Sequence, residues 1–146
     1  MGVEPKTLAT VHYLHLLPGG QLPLVSNFLP SRVVVIAEVD VAPAWRALAS
    51  SWLVRSGCLC MLAWGERCDL WDDVVDWTLL EEFKFGDIPE DRFVMTSWHE
   101  NQTLDEVFAY CKQLVLFDSV PLAQTVLLHI ARQPAEQRIM DAYVQA

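Results

Sequence analysis

The chain has 146 residues, 53% of them hydrophobic, and 19 acidic against 10 basic side chains give it a formal net charge of −9. That length is one domain's worth, and a chain of this size buries roughly 68–70% of its unfolded surface, which excludes wholesale disorder. The acidic balance argues against nucleic acid and anionic membrane as partners, since both are bound through Lys and Arg, and favours a protein partner with a basic surface.

Residues 1–31 mix apolar side chains with Pro18, Gly19, Gly20, Pro23 and Pro30 and read as an irregular N-terminal arm packed on the body, with room for a short strand near Val11–Leu17. His12 and His15 are three apart, as on one helix face, and read as surface or packing residues. "RVVVIAEV", Arg32 to Val39, is a continuous β-branched run of the kind buried on both faces of a parallel sheet. "APAWRALASSWLVRSG" follows as a helix, with Pro43 suited to its first turn and Gly57 to the position past its end. "CLCMLAWG", Cys58 to Gly65, is a second strand, and "CDLWDDVVDWTLLEEF" a second helix. On that helix Asp69, Asp72, Asp73 and Asp76 fall at i, i+3, i+4, i+7 and form one outward stripe, with Leu70, Trp71, Val74 and Val75 pointing the other way.

A Gly86/Pro89 loop leads to "FVMTSW", Phe93 to Trp98, as a third strand. The third helix, "TLDEVFAYCKQLV", opens with Thr103 and Glu106 spaced as a capping box. "FDSVP" turns the chain into a fourth strand, Ala123 to Ala131, and a closing helix starts at Pro134. His129, inside the fourth strand, reads as a core or edge histidine with a backbone partner. Strict β-α alternation implies a parallel sheet with helices on both faces. The expected fold is a single three-layer α/β/α domain over residues 32–146, with four parallel strands in the order 2-1-3-4, Rossmann-like or flavodoxin-like. No apolar run approaches the ~18 residues of a membrane span, and the N-terminus lacks a signal-peptide layout, so a cytoplasmic location is expected.

Reduced cysteines fit that compartment. Cys58 and Cys60, two apart in a strand, are expected on one face, and both, with Cys111, as buried small hydrophobes. Cys68 begins a helix, which lowers a thiol's pKa, but Asp69 beside it opposes that, so a nucleophilic role is not expected.

In open α/β sheets ligands bind outside the carboxyl ends of the strands, where strand order reverses. In the order 2-1-3-4, Asp40 and His99 face each other across that crevice, with Glu66 one strand away and Trp64 and Trp98 as apolar walls. Asp40, Glu66, His99 and Glu100 together would suit a hard divalent cation better than structural zinc. No glycine-rich turn follows the first strand and no Gly-x-Ser-x-Gly elbow is present, so neither a dinucleotide site nor a serine hydrolase is signalled, and no cofactor is expected. Ser97 and His99 share a strand face, without a strained turn to lift the serine.

The segment "DIPEDRFVMTSWHENQTLDEVFAYCKQ", followed by "TVLLHI", resembles a group of bacterial proteins classed as a domain of unknown function. The resemblance spans roughly Arg32 to Ala131 and implies no activity, cofactor or catalytic residue. The function expected from the residues is therefore a non-catalytic acidic protein-binding or regulatory module, of the antitoxin-like or defence-associated kind. Its contacts are Asp69, Asp72, Asp73, Asp76, Trp64, Trp98 and Glu100. The alternative is a metal-assisted hydrolase or phosphatase-like enzyme using Asp40, Glu66 and His99. Six Trp in a short chain also leave room for self-association as a homodimer.

Overall fold

A computed structural model describes residues 10–24, 30–117 and 120–146. Among the described residues seven strands and four α-helices follow one another: β1 (Thr10–Leu16), β2 (Ser31–Ala37), α1 (Pro43–Arg55), β3 (Cys58–Gly65), α2 (Cys68–Glu82), β4 (Met95–Trp98), α3 (Leu104–Gln113), β5 (Leu116–Phe117), β6 (Val120–Pro121), β7 (Gln124–Ile130) and α4 (Glu136–Gln145). Five of the strands form one parallel sheet in the order β1-β7-β2-β3-β4, and β5 with β6 makes a short antiparallel pair.

This corrects the expected four-strand order. The sheet gains β1 from the segment read as an arm, paired in register with β7 from Thr10↔Gln124 to Leu16↔Ile130. β2 lies between β7 and β3, and β4 is an edge, so the first and third expected strands are not neighbours. Burial explains the sorting. β2 is buried at every position and β7 at all but its first, so both belong in the middle. β4 is only four residues long, with Met95 and Trp98 exposed, and so occupies an edge. His12 and His15, an odd number of residues apart on a strand, point to opposite faces rather than sharing one.

The chain climbs from β2 through α1, β3 and α2 to β4, then returns over the other face through α3 to β7. Two cores result. Val33, Val35 and Ala37 pack with Trp45, Trp52, Leu53, Trp71, Val75 and Leu79 under α1 and α2. Val34, Ile36 and Leu127 pack with Val107, Phe108, Cys111, Ile139 and Tyr143 under α3 and α4. Each of these larger side chains is worth roughly 1.5–3 kcal/mol when fully buried.

Local signals in the sequence match the element ends. Pro43 opens α1, and Gly57, at φ 94°, follows its C-cap Ser56. Thr103 and Glu106 form the reciprocal capping box of α3. Cys58 and Cys60 depart from expectation. The β2–β3 register shifts between Ser31↔Cys58 and Arg32↔Cys60, which leaves Leu59 as the extra residue of a bulge. Cys58 therefore lies in the α1/α2 core and Cys60 in the α3/α4 core.

Candidate functional site

The chain winds one way from β2 to β3 and β4 and the other way to β7, so the crevice at the carboxyl ends lies between β2 and β7 rather than between β2 and β4. A depression of about 410 Å³ occupies this place, lined by Glu38, Val39, Arg132, Gln133, Pro134 and Arg138 among others. Three of its lining residues, Glu38, Ala135 and Arg138, are joined by a chain of polar groups that runs through Tyr13 and His129 behind it. The Ala135 N–H donates to the Tyr13 hydroxyl oxygen at 2.9 Å, and that hydroxyl lies 2.7 Å from His129 Nδ1. His129 Nε2 lies 2.5 Å from Glu38 Oε1, which also accepts from Arg138 Nη2 at 2.7 Å.

These contacts set two of the three donors. The Tyr13 hydroxyl oxygen accepts from the backbone; the Glu38 carboxylate can only accept, so His129 donates Nε2–H to it, and the direction of the Tyr13–Nδ1 bond follows the protonation of the ring. Partial burial pushes the Glu38 carboxyl up, but the hydrogen bonds and charges of Arg138 and His129 outweigh it and hold the carboxyl below the usual range. His129 is fully buried, and His15 beside it donates Nε2–H to the Ala131 carbonyl at 2.7 Å.

Sequence reasoning missed this cluster. A backbone partner was expected for His129, but its partners are two side chains from strands that are adjacent only in the folded sheet. The legible signal was a polar side chain near the carboxyl end of an apolar strand; the short strand expected near Val11–Leu17 forms as β1, but only its pairing with β7 sets Tyr13 beside His129.

The residues singled out from the sequence lie elsewhere on the same rim. Asp40 is committed locally: its Oδ1 accepts from Arg46 Nη2 at 2.8 Å and from the Val41 N–H at 2.9 Å. It does not cap α1, whose N-cap Ala42 has no side-chain bond. Nor does Asp40 face His99, because β3 stands between β2 and β4, and two strand spacings come to roughly 9–10 Å. Glu66 and Glu100 are exposed. Among the described residues no three of His, Cys, Asp and Glu gather to hold a metal ion. The expected convergence of Asp40, Glu66 and His99 is therefore not formed.

His99 lies 2.9 Å from Ser97 Oγ through Nε2 and 2.6 Å from Gln102 Oε1 through Nδ1, with its ring centroid 5.4 Å from that of Tyr110. Trp64 donates its indole N–H to the Gln102 carbonyl at 2.8 Å, which ties the end of β3 to the loop before α3. The polar end of β4 is thus knitted to its neighbours. Cys68 is buried. Burial raises its thiol, and the charges of Glu100 and Asp69 add to that, outweighing the hydrogen bond from the His99 backbone.

The acidic face of α2 is divided. Asp69 pairs with Arg67 at 3.3 Å, Asp73 is exposed, and Asp76 accepts from Thr96 Oγ1 at 2.7 Å. Asp72 departs from the outward stripe. It is 5% exposed, and its Oδ2 has no partner, because α2 packs that flank against β4. Next to this face Trp77 and Phe85 are 57% and 59% exposed, with ring centroids 5.3 Å apart, edge to face. Trp98 is 52% exposed at the end of the edge strand.

A family model described as a domain of unknown function, DUF7684, matches residues 11–146. No curated protein and no solved structure matches the chain.

Proposed function

The chain belongs to that family of domains of unknown function, and from its surface we propose that it is a non-catalytic protein-binding module that docks a basic segment of a partner on the α2/β4 side. The observation that carries this reading is the outward-facing Trp77–Phe85 pair beside the edge strand β4. Large apolar side chains are rarely left in water in a group, and aromatic anchors dominate binding energy at protein interfaces. Leu80, Phe93 and Met95 are exposed on the same elements or next to them, while Asp73, Asp76 and Glu81 supply negative charge. That charge steers a basic partner, and the outer edge of β4 offers backbone donors and acceptors to an extended segment. A regulatory role of the antitoxin-like or defence-associated kind is compatible with such a surface. The sheet, wound in both directions from β2, supports a flavodoxin-like or Rossmann-like reading of the fold. Among the described residues the metal-assisted alternative finds no cluster of three donors.

The test is in-cell cross-linking in the native host, with cross-links mapped by mass spectrometry, for wild type and an Asp73→Lys/Trp77→Ala variant. Both substituted side chains are exposed, so the two proteins should melt within a few degrees of each other. The reading expects cross-links from one partner to cluster on α2 and β4, and its recovery with the variant to drop about tenfold, or ~1.4 kcal/mol. Equal recovery, or cross-links elsewhere, sinks it. Links between two copies of this chain would point to a homodimer instead.

A further inference from the structure

The crevice between β2 and β7 holds both signs of charge close together. Glu38 presents a carboxylate whose side chain is 34% exposed, and Arg132 and Arg138 line the same depression. Arg138 is 61% exposed and uses Nη2 on Glu38, leaving the rest of its guanidinium for another acceptor. Val39, Ala131 and Pro134 add apolar wall. A plain anion entering here meets Glu38, and a plain cation meets two guanidinium groups. A molecule carrying both charges matches both.

Glu38 is also held in place. Its Oε1 accepts a hydrogen bond from His129 Nε2–H, and His129 is in turn held by Tyr13, which the Ala135 N–H holds. A buried imidazole with both nitrogens engaged by side chains sets one carboxylate orientation at low entropic cost on binding. The volume of about 410 Å³ falls within the range of small-molecule sites.

We propose that this crevice binds a small zwitterion of the α-amino acid class. Its ammonium group sits on Glu38, its carboxylate on Arg132 and Arg138, and a short apolar side chain against Val39 and Pro134. His129 acts as a positioning residue for Glu38. The site is on the β2–β7 side of the sheet, away from the α2/β4 docking face, and its test does not depend on that face.

The experiment follows backbone amide NMR shifts of the labelled protein with three probes: L-valine, isovalerate, which lacks the ammonium group, and isobutylamine, which lacks the carboxylate. L-valine should produce saturable shifts at Glu38, Ala131, Gln133 and Arg138, and each half-molecule should bind at least about tenfold more weakly. Glu38→Gln, nearly isosteric and partly exposed, and Arg138→Met should each weaken L-valine by a similar factor. His129→Gln should weaken it less, since its amide can still donate to Glu38. Isovalerate binding as tightly as L-valine would overturn the proposal in favour of a simple anion site. It is also overturned by the absence of saturable shifts at millimolar L-valine, or by undiminished affinity in Glu38→Gln. The comparison of the three probes uses wild type alone, so a variant that fails to fold does not blunt the test.

Discussion

Arg32 is 7% exposed, yet it opens the apolar run of β2. It is tolerated there because its guanidinium is well supplied with acceptors: Nε donates to Thr125 Oγ1 at 2.7 Å, Nη1 to the Cys111 and Leu114 carbonyls at 2.8 Å each, and Nη2 to Tyr143 Oη at 3.2 Å. Two of those acceptors lie at the end of α3, the Cys111 carbonyl in its last turn and the carbonyl of its C-cap Leu114. Arg32→Met keeps the packing but removes all four bonds and leaves the Cys111 carbonyl only the Leu114 N–H, so it should cost about 3 kcal/mol in urea denaturation, the range for lost hydrogen bonds to a charged group. Asp72 is the opposite case. Burial first, then the like charge of Asp76, raise its carboxyl above the usual range. A carboxyl raised in the folded state ionises first in the unfolded chain. Its stability contribution is whole below the unfolded pKa of about 3.9 and is lost as pH climbs to the folded value. Asp72→Asn, whose amide can donate to Asp76, should therefore melt higher than wild type at pH 7 and nearly equally near pH 3. A lower melting temperature at pH 7 would show that the ionised carboxylate is stabilising. Asp72→Lys, in contrast, places a charge in a buried flank and should destabilise.

At the scale of elements, ends and junctions govern. The capping box of α3 satisfies two free donors of its first turn, and Thr103→Ala should cost about 1 kcal/mol, read as a lower urea midpoint at unchanged slope. Gly65 ends β3 at φ 102°, and a Cβ there would stand 2.1 Å from the Ala37 carbonyl oxygen. That carbonyl accepts from the Glu66 N–H at 2.7 Å, so β2 and β3 are drawn together where the carboxyl rim begins. Gly65→Ala adds a backbone clash to a strained conformation that alone costs about 1–3 kcal/mol, and should be among the most damaging small substitutions in the chain. A melting temperature within a degree of wild type would contradict this. The bulge at Leu59 separates the two thiols of β3 into different cores. All four cysteines are free and buried. Burial raises the Cys60 and Cys111 thiols to about 11, and raises Cys58 further. A thiol reagent should therefore modify Cys58, Cys60 and Cys111 only as fast as the protein opens, and fast labelling of all three in the native protein would contradict the core described here.

For the whole molecule, the alternation of apolar runs and helices determined a great deal by itself. The parallel sheet, the four helices, the α3 capping box, the Pro43 start and the Gly57 stop of α1 are all local chemistry, set by period, turn residues and caps within a few positions of each other. Strand order is not local. It depends on which strands bury both faces and on which edge the N-terminal strand joins, so β7 settles between β1 and β2 and carries the crevice with it. Glu38 and His129 are 91 residues apart, and Tyr13 and His129 are 116 apart. No spacing rule reaches across such distances, whereas the register of three neighbouring strands brings these side chains within hydrogen-bond length. The sequence alone therefore determined that a polar rim stands at the carboxyl ends of the strands. Only the packing of the sheet decided which members of that rim meet, because hydrogen-bond partners on different strands are chosen by strand adjacency and not by position in the chain.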